Sequence, residues 1–227
     1  WVIALLIEYA APAAAFWTPH RGRAPSTQWD VSGAHMAERC GLFVIICLGE
    51  TILVTGVMFA QMSWTVVTMS AFATAFVGTV AIWWVYFHIG HHRASHLIDH
   101  GPDPGRTARL WFTYIHIPIL AGIILVAASD QFLLTHPTGQ ASTEAAITLL
   151  GGPAVFLLGA LWLKRASSGT PPWPHLAGLA LLGGAGFAAG GLSALSLGAI
   201  ASAILILVAV WDRSSRSQVG ELPSVGG

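Results

Sequence analysis

The stretch HMAERCGLFVIICLGETIL, residues 35–53, decides how this chain is read. From Cys40 onward it is apolar except for Glu50 and Thr51, and the apolar run continues through VTGVMFA to Ala60. That is about the 20 residues an α-helix needs to cross a hydrocarbon core ~30 Å thick. Yet the stretch opens with His35, Glu38 and Arg39, and Glu50 interrupts its middle. Ionisable groups inside a membrane segment are rare and face protein or a water-filled cavity. The stretch therefore predicts both a membrane-spanning helix and a polar site within the membrane.

The rest of the chain has the same character. Of 227 residues, 55% are hydrophobic and only 9% charged, against about 25% charged in soluble domains. The net charge is zero, which leaves no basic surface for nucleic acid; the lipid bilayer is the partner that the composition implies. Cys40 and Cys47 fall seven apart in one predicted helix. That spacing is roughly 10 Å along the axis, beyond disulfide reach, and both read as free thiols in lipid. The chain starts at Trp1 inside an apolar run, with no initiator Met and no charged leader, and so reads as truncated at its N-terminus.

Seven apolar segments are candidates for spans, at roughly 1–17, 38–59, 63–87, 108–134, 144–163, 174–191 and 194–211. The predicted fold is an all-α polytopic transmembrane bundle over 1–211, followed by a disordered tail, 212–227, rich in Gly and Ser. The last two segments are separated at Gly190-Gly191, since a single helix over both would be about 54 Å long. Pro118 predicts a kink in the fourth, and Asp30 or Ser32 a cap for the second. Positive charges test this map. Arg21 and Arg23, then Arg93, Arg106 and Arg109, then Lys164 and Arg165, then Arg213 and Arg216 mark every second connection, and the connections between them have none. The positive-inside pattern predicts that the charged connections, Arg39 and the C-terminus lie on the cytoplasmic side.

Three ionisable residues stand near mid-span: Glu8, Glu50 and His116. At 100° per residue His35, Arg39, Phe43, Ile46 and Glu50 form one stripe, running from a cytoplasmic mouth to mid-membrane. Arg39 and Glu50 are about 16 Å apart along the axis and cannot pair directly; Glu38 points elsewhere. His116 lies nearly on one face with Arg109, and Pro118 has no N–H for the carbonyl of Tyr114. Two readings stay open: hydrogen bonds that hold helices together, or a site for an ion, a proton or a small molecule. The pairs Ala71/Ala75 and Gly186/Gly190 have the spacing of close helix contacts.

His88, His92, His96 and His100 recur every fourth residue, with Asp99 nearby. On a continued helix they would line one side, and His88, His92 and His96 are candidate metal or haem ligands; a solvated loop at the membrane surface is the plainer reading. No H-E-x-x-H, no G-x-S-x-G and no phosphate-binding loop occurs, so nothing in the motifs argues for an enzyme, and the cofactor stays open.

Residues 35–53, with WWVYF at 83–87 and YIHIPILAGIIL at 114–125, resemble the signature of the bacterial low-temperature-requirement A (LtrA) family. The resemblance is good over roughly 30–135 and looser beyond. It implies a multi-span protein of the bacterial inner membrane, larger than this chain, tied by name to growth in the cold. It puts forward His35, Glu38, Arg39, Glu50 and His116 as motif positions. The family pattern often has an acid after YF, where this chain has His88. The reading reached is a permease- or channel-like protein with a polar site of Glu50, His116 and Glu8 and an entrance of His35, Glu38 and Arg39. The alternatives are a non-transporting protein of a cold or envelope stress response with purely structural polar groups, and a membrane metal- or haem-binding protein that uses the clustered histidines.

Overall fold

The computed structural model describes residues 1–20, 22, 32–88, 103–168 and 171–220, and among these it is all-helical apart from one isolated bridge. Its helices are α1 (Val2–Ala13), α2 (Gly33–Ala60), α3 (Val66–His88), the short α4 (Pro104–Ala108), a π-helix (Arg109–Tyr114), α5 (His116–Thr135), α6 (Thr143–Ser168), α7 (Trp173–Ala188) and α8 (Ala194–Gly220). Five stretches are long and apolar enough to cross a membrane: Gly33–Ala60, Val66–His88, Gly105–Thr135, Thr143–Ser167 and Ala194–Ser215. The sequence count of seven is thus too high. The first candidate is helical only to Ala13, contains Pro12, and leaves the helix at Ala15 and Phe16 with φ of 53° and 49°. The sixth is a 16-residue helix between Pro172 and a 3₁₀ turn at Ala189–Gly191, about 24 Å long.

The local signals behave as their chemistry requires. The Ser32 hydroxyl caps α2, accepting from the His35 N–H at 3.4 Å. The Asp103 carboxylate caps α4, accepting from Arg106 N–H at 2.9 Å, with Pro104 at the start of that helix. The chain breaks at Gly190-Gly191 as predicted, and Ser193 starts α8 by accepting from Ser196 N–H at 3.2 Å. The helix does not stop at Trp211, however. It runs to Gly220, and Asp212, expected in the tail, is buried in an ion pair with Lys164 of α6. A buried carboxylate needs such a partner, and the pair ties these two helix ends together.

Packing orders the helices. The chief neighbours are α5 with α6, α3 with α8, α2 with α5 and α3, and α7 with α6 and α8. Helices α5 and α6 are antiparallel and meet through glycines. A Cβ on Gly122 would collide with the backbone of Phe156; one on Gly159 would lie 2.8 Å from Ile119 N, and one on Gly152 2.9 Å from Val126 N. Of the two small-residue pairs read from the sequence, Ala71 and Ala75 are buried, whereas Gly186 and Gly190 are exposed, and a Cβ on either would meet nothing within 4 Å. Ala141 N–H donates to Leu192 O at 2.9 Å and Leu195 N–H to Pro137 O at 3.1 Å, which joins two uncharged connections at one end. Lys164, Asp212 and the start of the Gly105–Thr135 segment lie at the other. α7 therefore returns the chain from the charged end to the uncharged one.

Gly122→Ala should lower unfolding stability by about 1–3 kcal/mol, because a methyl forces two backbones apart. Gly186→Ala should stay within about 0.5 kcal/mol. Thermal melting in detergent checks both, and equal effects would contradict the glycine contact.

Candidate functional site

The site begins where the helical ladder changes. Across Arg109–Tyr114 the backbone widens to a π-helix, with Ile115 N–H donating five residues back to Leu110 O at 3.1 Å. The α-helix resumes at His116, which places Pro118 in its first turn, where N–H groups have no helical acceptor and a proline is tolerated. Two carbonyls of the widened turn take side-chain donors. The His116 ring bonds Trp111 O through Nδ1 at 2.7 Å, and Cys40 Sγ of α2 donates to Phe112 O at 3.5 Å. Cys40 and Cys47 are free thiols, but Cys40 turns into the bundle rather than toward lipid.

His116 is 3% exposed, and both of its nitrogens are engaged. A carbonyl can only accept, so Nδ1 carries the hydrogen. In a neutral ring Nε2 is then the acceptor, and the Tyr86 hydroxyl of α3 donates to it at 2.9 Å. Tyr86 and Phe112 also pack on the imidazole, edge-on and stacked respectively. This cluster joins α2, α3 and the π-helix at their charged ends.

The other predicted residues lie elsewhere. Glu50 is exposed, and so are His35, Glu38, Arg39, Phe43 and Ile46. The stripe read from the sequence is real and continuous, but it faces outward. The inward face of α2 carries Gly41, Val44, Leu48, Thr51 and Thr55, and Glu50 lies about 200° round from Leu48. Glu50 and His116 are therefore on opposite sides of α2, and the structure does not unite them. Glu8 is exposed on α1, beside Tyr9, whose carbonyl accepts from the Tyr114 hydroxyl at 2.6 Å. His88 ends α3, half-buried, with its ring edge-on to Trp84. His92, His96, His100 and Asp99 lie outside the described residues. Among the described residues no three His, Cys, Asp or Glu side chains are grouped to hold a metal.

The sequence reading missed Asp130, which is 3% exposed on α5 and has an unpartnered Oδ2, and the buried His175 and Lys164–Asp212. For Asp130 the signal was present. His116, Ile119, Ile123, Val126, Asp130 and Leu133 follow helical spacing and are all buried.

Long apolar helices, a third span widened by a π-helix, and buried polar groups define a polytopic helical membrane protein. The profile of the bacterial low temperature requirement A protein (LtrA) matches residues 1–210, and the chain belongs to that family. An uncharacterised protein of Rhizobium meliloti (strain 1021) is 39% identical over 212 residues, covering 93% of this chain and 52% of that protein. The chain thus spans about half the length of this curated relative. No solved structure matches significantly.

The Tyr86–His116 hydrogen bond should show a coupling energy of about 0.6–1.7 kcal/mol in a double-mutant cycle of Tyr86→Phe and His116→Asn, the range for polar pairs inside membranes. Reversible unfolding in mixed micelles measures it, and additive effects would mean that the bond holds nothing.

Proposed function

We propose that the protein is a permease- or channel-like membrane protein that handles a proton, an ion or a small solute along the outer face of α2. The observation that carries this reading is the open stripe His35–Arg39–Glu50. A carboxyl used only as helix glue would be buried against one neighbour, and no helix of the described chain covers Glu50. Around it stand Ile46 and Leu53, 67% and 64% exposed. An acid turned to acyl chains at mid-span costs roughly 2.5–3.5 kcal/mol, so the stripe calls for a polar surface or water opposite it. In the longer relative the remaining chain is available to supply that cover. The charged end, with Arg39, Arg106, Arg109 and Lys164, faces the cytoplasm in this proposal, as does the C-terminus.

His116 supports a structural part in the same protein. With both nitrogens satisfied and its ring sandwiched, it positions the π-helix against α2 and α3 and is not part of the pathway.

Glu50→Gln keeps the size and hydrogen-bonding capacity of the side chain but cannot gain or lose a proton or neutralise a cation. In a strain lacking the protein it should fail to restore growth in the cold, at normal membrane abundance and melting temperature. Full rescue would overturn the transport reading.

A further inference from the structure

A small cavity lies inside the bundle, toward its uncharged end, between α3, α5, α6 and α8, and its polar lining includes Asp130, Ser129, Thr74 and Ser202. Asp130 is five residues from the end of α5, about 8 Å along the axis. Its Oδ2 is buried and has no hydrogen-bond partner, and no ion pair reaches it among the described residues. The space admitting the centre of a water-sized sphere is ≈ 20 Å³, enough for one such particle.

The hydroxyls around it have spent their hydrogens. Ser129 donates to Val126 O at 2.8 Å, Thr74 to Ser70 O at 2.8 Å, and Ser202 to Thr74 O at 3.3 Å. A hydroxyl has one hydrogen, so each has only lone pairs left to offer. Pro153 of α6 also lines the space and has no N–H for the carbonyl of Leu149, another lining residue. Gly78 keeps the wall thin: a Cβ there would come 2.9 Å from Ser202 Oγ. The polar lining is therefore one carboxylate and a set of acceptors, with no donor turned to it from these hydroxyls.

We propose that this cavity binds one alkali-metal cation, Na⁺ or K⁺, held by Asp130 with Ser129, Thr74 and Ser202 as neutral oxygen ligands. Lone pairs without donors suit a cation and repel an anion. The single negative charge of Asp130 balances a monovalent ion, whereas a divalent one would leave a net charge in a low-dielectric interior. Hard cations of this kind are held by carboxylate, hydroxyl and carbonyl oxygens. Occupancy would tie three helices at the end of the bundle far from the His116 cluster. The inference stands apart from the transport reading, since a held cation stabilises the fold whether or not it moves.

The test uses the purified full-length protein in detergent at fixed pH and ionic strength, with choline chloride replaced stepwise by NaCl or by KCl. At least one of the two should raise the melting temperature saturably, as mass action on the folded state requires, and ²²Na⁺ or ⁸⁶Rb⁺ should bind at one ion per chain. Asp130→Asn should abolish the response. Ser129→Ala, a milder change in case Asp130→Asn does not fold, should weaken binding about tenfold or more. No response of the unaltered protein to either ion would overturn the site, and so would a response that Asp130→Asn leaves intact. The first outcome would leave Asp130 as a neutral acid beside a water.

Discussion

The contact on which the rest of this structure depends is that of α5 with α6, backbone against backbone. Lipid tails are as apolar as leucine side chains, so no hydrophobic force draws membrane helices together, and close packing has to supply the attraction. Gly122, Gly152 and Gly159 remove the side chains that would keep the two helices apart. Once they lock, the rotation of α5 is set. One stripe of it, from His116 to Leu133, faces the interior. That rotation brings His116 to Tyr86 and sets Asp130 against α3 and α8. A rotation of one residue would turn both groups out of the core.

Much of this was legible in the sequence. Apolar length gave the helices, and Ser32 and Gly190-Gly191 marked a cap and a turn for reasons of local chemistry. The alternation of Lys and Arg agrees with the two ends of the bundle that the hydrogen bonds of the uncharged connections define. The direction in which each stripe faces was not legible. In a soluble helix the apolar side is the buried side; α2 is apolar nearly all round, so hydropathy does not say whether Glu50 or Thr51 turns inward. Hydroxyls and small residues hold that information, and Gly41, Thr51 and Thr55 mark the packed face. Glycine spacing alone misled at Gly186 and Gly190, because nothing in the pattern tells whether another helix lies opposite. Asp130 was overlooked because it stands among residues that fit a span, and Asp212 because the apolar run ends one residue before it.

The polar groups of the bundle thus divide by position. Among the inward ones, His116 is satisfied by Tyr86 and Trp111, and Asp130 is enclosed with a small cavity. The outward ones, His35, Arg39 and Glu50, share one open stripe and serve no packing purpose within the described chain. Under the proposed reading, ionisable groups on a helix face that the described chain leaves uncovered call for a polar surface or water beside them, since acyl chains cannot solvate them.

That requirement is tested most directly by the access of water to position 50. In a background with Cys40→Ala and Cys47→Ala, single cysteines at Glu50→Cys, Arg39→Cys and Ile45→Cys would be exposed to a membrane-impermeant thiol reagent in vesicles of either orientation. Glu50→Cys and Arg39→Cys should react from the same side. Ile45→Cys, at a position also exposed but off the stripe, should stay inert in lipid. Glu50→Cys as unreactive as Ile45→Cys would contradict a polar pathway along α2.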